Sequence, residues 1–326
     1  MNLRVLFHNN CFDGACSASV FTRFHRECIG TATEYSYGGL MHRAGGLFDE
    51  GEFSGDENAI VDFKYSTSPR VTWWFDHHQS AFLSEDDHRH FLRGQEDGSQ
   101  SKRKFFDPYY TSCTGFIADV GHEKFGWDIS KLKELIYWAN IVDGAKYESA
   151  RSAVEMAEPA MKLTMVIESS SDATLIPRMI PLLTEMPLQE VLDQPFVKVL
   201  LEALMERHLA AIELIRERAT SEKGVITFDI MDQPTEGYSK FIPYYLHPEG
   251  VYNIGLSRSS FRTKVSVGTS PWTTLPVARL ANLAEICERY GGGGHARVGA
   301  ISFPPNHEDE ARKVAAEVIA ELRARY

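Results

Sequence analysis

The sequence is poor in the features that mark secreted, membrane-embedded or duplex-coating proteins. Its five cysteines, Cys11, Cys16, Cys28, Cys113 and Cys287, are odd in number and show no Cys-x-x-Cys spacing. That argues against a disulfide framework and for reduced thiols in a cytoplasmic compartment. No apolar run approaches the ~18 residues of a membrane span, so no membrane association is expected. The first eight residues are too briefly apolar for a secretory signal and read as a first strand running directly into His8. A long basic tract is also missing. The net charge is −11, and the segment from Ser101 to Lys104 is expected to be a short solvated loop. Long duplex nucleic acid is normally met by a basic face, because phosphate contacts dominate affinity. The acidic balance therefore favours a small anionic substrate held by a few local cations, and clustered carboxylates favour a divalent metal. No repeat or low-complexity tract is visible.

The 326 residues, 43% hydrophobic, suffice for two domains with an ordinary core. The first half alternates strand-like and helix-like segments. Strands are expected at Leu3–Phe7, Ala59–Phe63 and Val71–Phe75, and helices at Ala15–Arg26, Ser112–Phe125 and Ile129–Ile141. Such alternation predicts an α/β fold with a parallel sheet. The polar stretch Leu83–Lys104 reads as a loop or lid. Residues 151–222 read as a helical connector. It contains an amphipathic helix over Phe196–Arg218, preceded by a helical reading that Pro177, Pro181 and Pro187 interrupt. Beyond residue 222 the pattern predicts a smaller α/β domain: strands at Val225–Ile230, Val251–Ser257, Arg262–Val267 and Ala300–Phe303, and helices at Pro276–Arg289 and His307–Arg325.

Polar residues stand at the ends of the apolar runs. The run Val71–Phe75 ends in Asp76-His77-His78. Adjacent histidines point in different directions, so one can bind metal while the other faces substrate, and Asp76 can fix an imidazole tautomer. The first run ends in His8, followed by Cys11-Phe12-Asp13-Gly14, where Asp13 is either a site residue or a helix cap. Asp62 follows the second run with the same ambiguity, and Asp143-Gly144 is either a site or a helix end. One or two imidazoles with three carboxylates at strand ends suit Mn²⁺ or Mg²⁺ better than structural Zn²⁺. Near the end of the chain, Gly291–Gly294 precede His295. Glycines let backbone N–H groups approach an anion, although such a run also makes a plain turn. Arg258, Arg262 and Lys264 have even numbers on strand-like segments and are expected to line one phosphate-binding surface.

The content and order of these pieces resemble the DHH phosphoesterase family with its C-terminal DHH-associated domain. The resemblance covers nearly the whole chain: a catalytic domain over 1–150, the connector over 151–222 and a substrate-binding domain over 223–326. It implies that His8, Asp13, Asp62, His77 and Asp143 hold one or two Mn²⁺ ions, with Mg²⁺ as the substitute, and that Asp62 bridges them. Asp76 would orient His77, and His78 would stabilise charge or protonate the leaving group. Gly292, Gly293, Gly294 and His295, with Arg258 and Arg262, would contact substrate across an interdomain cleft. Relatives carry Asp-x-Asp-Gly in the first motif; here Cys11 takes the place of the first carboxylate, as a softer metal ligand or as a buried apolar residue. The family's substrates include short oligonucleotides, 3′-phosphoadenosine 5′-phosphate, cyclic dinucleotides, polyphosphates and single-stranded DNA degraded by exonucleases. The expected function is hydrolysis of short oligonucleotides or small nucleotides by metal-activated water. A pyrophosphatase-like hydrolase and a nucleotide-binding sensor without turnover are the competing readings. The oligomeric state stays open.

Overall fold

The computed structural model describes residues 1–42, 47–100, 102–233, 235 and 237–325; Ser101 of the short basic segment therefore lies outside the described residues. The elements are β1 (Asn2–His8), α1 (Phe12–Phe24), β2 (Glu34–Leu40), β3 (Glu57–Val61), β4 (Trp73–Asp76), α2 (Glu85–Glu96), β5 (Lys104–Phe106), α3 (Cys113–Phe125), α4 (Lys133–Asp143), α5 (Ala150–Val154), α6 (Pro159–Glu168), α7 (Leu175–Glu185), α8 (Leu188–Leu192) and α9 (Pro195–Arg218). After them come β6 (Thr220–Glu222), β7 (Val225–Asp229), α10 (Ile242–Leu246), β8 (Tyr252–Arg258), β9 (Thr263–Thr269), α11 (Leu283–Glu288), β10 (Gly293–His295), β11 (Val298–Phe303) and α12 (Glu308–Arg325). The chain forms two compact units: residues 1–146 with 157–201, and residues 147–156 with 202–326.

In the first unit five strands run in the order β2-β1-β3-β4-β5, every pair parallel. Strands buried on both faces read as continuous apolar runs, as in Ala59-Ile60-Val61 and Trp73-Trp74-Phe75. Side chains alternate across the sheet. Leu6, Ile60 and Trp74 join a core with Phe53, Phe63, Tyr65 and Phe91. On the other face Phe21 and Phe24 of α1 meet Trp73 and Phe75.

Several expectations are corrected here. Leu83–Lys104 is not a loop: it contains α2, opened by a capping box between Ser84 and Asp87. One buried aromatic, Phe91, anchors the helix, so its apolar stripe is too narrow to show in a polar sequence. Strand β2 escaped notice because Gly38 and Gly39 resemble a loop. A Cβ at either would meet the side chains of Arg4 or Asn9 at 2.5 Å. Helix α7 carries Pro177 in its first turn and continues through Pro181, with Met179, Ile180 and Leu183 buried around it. Asp143 stands at a helix end, one of its two expected readings.

In the second unit six strands run in the order β10-β11-β9-β8-β7-β6, antiparallel except β7 with β8. One face packs Ile254, Leu256, Val265, Val267 and Ile301 with Leu283 and Ile286 of α11 and Ala315, Val318 and Leu322 of α12. The helix expected over Pro276–Arg289 is reduced to α11, because Asn282 caps its start by accepting the Ala284 N–H at 3.2 Å. Among the described residues no helix is long and apolar enough to cross a membrane.

Candidate metal centre

Parallel strands bring their C-terminal ends to one edge of a sheet, where α/β proteins place ligands. Here that edge carries His8 at the end of β1, Asp62 just after β3, and Asp76 at the end of β4 with His77 and His78 beyond it. Helix α1 starts at the same edge with Cys11 as its N-cap residue and Asp13 in its first turn. Gly14 is obligatory, since a Cβ there would lie 2.1 Å from the carbonyl oxygen of His8. Asp13 is buried and takes the N–H groups of Cys113 (2.7 Å) and Thr114 (3.1 Å) at the start of α3, together with the Thr114 hydroxyl (2.6 Å). Asp143 completes the group from the C-terminus of α4.

Asp62 occupies the middle. Its backbone is left-handed, with φ 56°, which is uncommon outside glycine and points to a functional constraint. Its Oδ2 faces Nδ1 of His8 at 3.6 Å and Sγ of Cys11 at 3.7 Å. Its Oδ1 faces Nε2 of His77 at 3.4 Å and Nδ1 of His78 at 3.9 Å. Nε2 of His77 also lies 3.7 Å from Asp13 Oδ2 and 3.6 Å from Asp143 Oδ2. Among the described residues three sets of donors are therefore close enough to hold a cation: His8, Cys11 and Asp62; Asp62, His77 and His78; Asp13, His77 and Asp143.

The electrostatics fit a bound cation. Among the described residues, Nδ1 of His8, Oδ1 of Asp62, Oδ2 of Asp76 and Nε2 of His77 are buried and have no hydrogen-bond partner, a cost that native sites offset with water or an ion. Burial and the neighbouring Asp62 and Asp143 push the Asp13 carboxyl well above its ordinary range. Burial and Asp62 raise Asp143 as well. Burial would raise Asp62, yet His77 and His8 hold it down at about 2. Burial would lower His77, but Asp62 and Asp13 lift it to about 10. Burial, Asp62 and Asp13 raise the Cys11 thiol. Crowded buried acids and proton-holding groups of this kind are what a divalent cation reverses. Carboxylate and imidazole donors fit Mn²⁺ or Mg²⁺, and the thiol adds one softer donor.

The two histidines differ in their support. Nδ1 of His77 donates to the carbonyl of Tyr110 at 3.0 Å, which leaves Nε2 toward the carboxylates. Nδ1 of His78 lies 2.7 Å from Asp76 Oδ1, and that hydrogen bond raises the His78 pKa. The expectation that Asp76 orients the His77 ring is corrected: Asp76 touches only the backbone N–H of His77, at 2.8 Å, and orients His78 instead. The sequence reading also missed Thr114 and Tyr110, which position Asp13 and His77. It missed Asn10, which is left-handed at φ 52° and donates to the carbonyls of Ile167 and Ser170. His42, whose ring centroid lies 5.4 Å from that of His8, was missed too. Only the Ser112-Cys113-Thr114 helix start left a local signal.

In the second unit the glycine run is partly structural. Gly291 and Gly292 donate their N–H groups to Glu288 and Cys287, closing α11. The Gly292 amide is therefore not free to meet an anion, which corrects its assignment. A Cβ at Gly292 or Gly294 would lie 2.3 or 2.2 Å from carbonyl oxygens of β11, whereas Gly293 faces open space. His295 is exposed on β10. The expectation of one surface for Arg258, Arg262 and Lys264 is corrected. Ser257 pairs with Lys264 and Arg258 with Thr263, so Arg258 and Lys264 lie on opposite faces. Arg258 is bound by Glu308 at 3.0 Å. Arg262 reaches Ser302 at 3.3 Å, beside Lys264.

No family model matches the chain, and no curated protein matches it. Solved structures do. A pGpG-specific phosphodiesterase, PggH, from Vibrio cholerae is similar over 100% of both chains at 17% identity, with a TM-score of 0.71. The chain shares the fold of that structure. An exopolyphosphatase-related protein from Bacteroides fragilis shares it over 99% of this chain and 92% of its own, at 13% identity and a TM-score of 0.50. In this fold the convergent residues sit at the strand ends of the first sheet, and a separate mixed sheet lies toward the C-terminus.

Proposed function

We propose that the protein is a metal-dependent phosphoesterase that hydrolyses small nucleotides or short oligonucleotides. The observation that carries this reading is Asp62, fully buried, with one oxygen toward His8 and Cys11 and the other toward His77 and His78. A carboxylate set between two donor groups suits a bridge between two cations. His8, Asp13, Asp62, His77 and Asp143 would hold one or two Mn²⁺ or Mg²⁺ ions. Bound there, the metal would supply Lewis-acid activation of water and neutralise the phosphate oxygens.

The chain's own residues supply the rest. Asp13 is held by α3 and so keeps its carboxylate in place for the group. His77 is fixed in one tautomer by Tyr110. His78, steadied by Asp76, would donate to the leaving oxygen or stabilise its charge. In the second unit Arg262, Lys264, Gly293, Gly294 and His295 would be the residues to bind an anionic group of a nucleotide. A small substrate agrees with the net charge of −11. The fold shared with a pGpG-specific phosphodiesterase makes linear dinucleotides the first class to try.

The test is a substrate panel: pGpG and other 5′-phosphorylated dinucleotides, 3′-phosphoadenosine 5′-phosphate, cyclic dinucleotides and pyrophosphate, each with Mn²⁺, Mg²⁺ or chelator. Chromatography should show dinucleotides converted to mononucleotides with Mn²⁺ and no conversion with chelator. Cleavage of pyrophosphate alone would make it a pyrophosphatase-like hydrolase. Tight nucleotide binding without turnover would make it a sensor. Turnover at full rate in chelator would overturn the metal reading.

A further inference from the structure

We propose that Cys11 is a cation ligand, and that the centre is chemically divided into a thiolate-containing half that selects a borderline-soft cation and a thiolate-free, carboxylate-rich half that selects Mn²⁺ or Mg²⁺. The inference rests on the metal-dependent reading above and deepens it.

The geometry singles out the thiol. Sγ of Cys11 and Nδ1 of His8 approach the same oxygen of Asp62, at 3.7 and 3.6 Å, and the three donor atoms lie within 4.8 Å of one another. Nδ1 of His8, in the same donor set, is buried and has no hydrogen-bond partner among the described residues. So the pocket around the thiol already holds a polar group that needs one. Cys11 stands at the N-cap of α1, where its sulfur reaches Asp62 and the Gly14 N–H favours its negative form. The start of a 13-residue helix also favours a negative sulfur.

The donor sets then differ in kind. Imidazole nitrogen, thiolate sulfur and one carboxylate oxygen, with a position left for substrate, make a set suited to Zn²⁺, Co²⁺ or Fe²⁺. Asp13, His77 and Asp143 offer two carboxylates and one imidazole, a set suited to Mn²⁺ or Mg²⁺. Binding at the first set balances simply: the Cys11 S–H bond breaks, the proton leaves to solvent, and the sulfur lone pair forms the bond to the cation.

The test is spectroscopic. Metal-free full-length protein is titrated with Co²⁺, and bound metal is counted by equilibrium dialysis with elemental analysis. A thiolate-to-cobalt charge-transfer band in the near ultraviolet should grow with the first equivalent, vanish in Cys11→Ser and Cys11→Asp, and be displaced by Zn²⁺ but not by Mg²⁺. Cys11→Asp should shift the Zn²⁺ to Mn²⁺ affinity ratio by at least the about ten- to hundredfold that loss of a mere supporting contact costs. Circular dichroism melts on both variants check the fold. Cobalt bound at full stoichiometry without the band, or a band that survives in folded Cys11→Ser, would overturn the thiolate half while leaving the metal-dependent reading intact. Failure of the wild-type protein to bind any divalent cation would overturn both.

Discussion

Oδ1 of Asp76 lies 2.7 Å from Nδ1 of His78 and accepts the backbone N–H groups of His77 and His78 as well. One buried carboxylate thus fixes both the turn after β4 and the tautomer of the second imidazole. Asp76→Asn keeps the shape and removes the charge. The His78 pKa, raised first by this hydrogen bond, should fall. Turnover should drop about ten- to a hundredfold, the usual loss for a supporting contact, with bound metal unchanged. Steady-state kinetics beside elemental analysis, with an NMR titration of His78, measures all three. Loss of metal with the His78 titration unmoved would show that Asp76 serves only the turn.

Metal binding should release protons. Without a cation His77 holds its proton to about pH 10, and Asp13 and Asp143 are raised as well. A cation takes the deprotonated forms, so affinity should climb as pH rises from 6 toward 9, by about tenfold per pH unit for each proton displaced. Calorimetric titration of Mn²⁺ in buffers of different ionisation enthalpy counts those protons. A pH-independent affinity would mean that His77 is not displaced.

Gly14→Ala should cost stability, because the added Cβ would press on the His8 carbonyl at 2.1 Å and backbone cannot repack around it. The loss should be at least about 1–3 kcal/mol, as for an overpacked core. Gly293→Ala, whose Cβ would meet nothing within 4 Å, should be close to neutral. Denaturant unfolding of the two variants makes the comparison; equal losses would show that α1 can shift away from β1.

His295→Ala should raise KM roughly ten- to a hundredfold, the worth of a charge-assisted hydrogen bond, and leave bound metal intact. Kinetics and metal analysis on this variant decide the matter. An unchanged KM would leave the glycine run as the α11-to-β11 connection alone.

Much of this was legible locally. Apolar runs ending in His8, Asp62 and Asp76-His77-His78 announce buried parallel strands with polar ends, since burial on both faces demands continuous apolar residues. The order of those motifs was enough to place the chain in its fold. Other features depend on partners distant in sequence. Asp13 could equally have capped α1; contacts from Cys113 and Thr114, about a hundred residues on, turn it inward. Whether Asp76 serves His77 or His78 depends on the bend after β4 and on the Tyr110 carbonyl. The faces of Arg258 and Lys264 were decided by the β8–β9 turn, whose register sets side-chain parity anew for the returning strand. Residue types and their order thus determined which chemistry was available, because donor character belongs to the side chain. Only the tertiary structure decided which donors face one another, because a convergence of β1, β3, β4, α1, α3 and α4 at one sheet edge is a relation between segments that no single window of sequence contains.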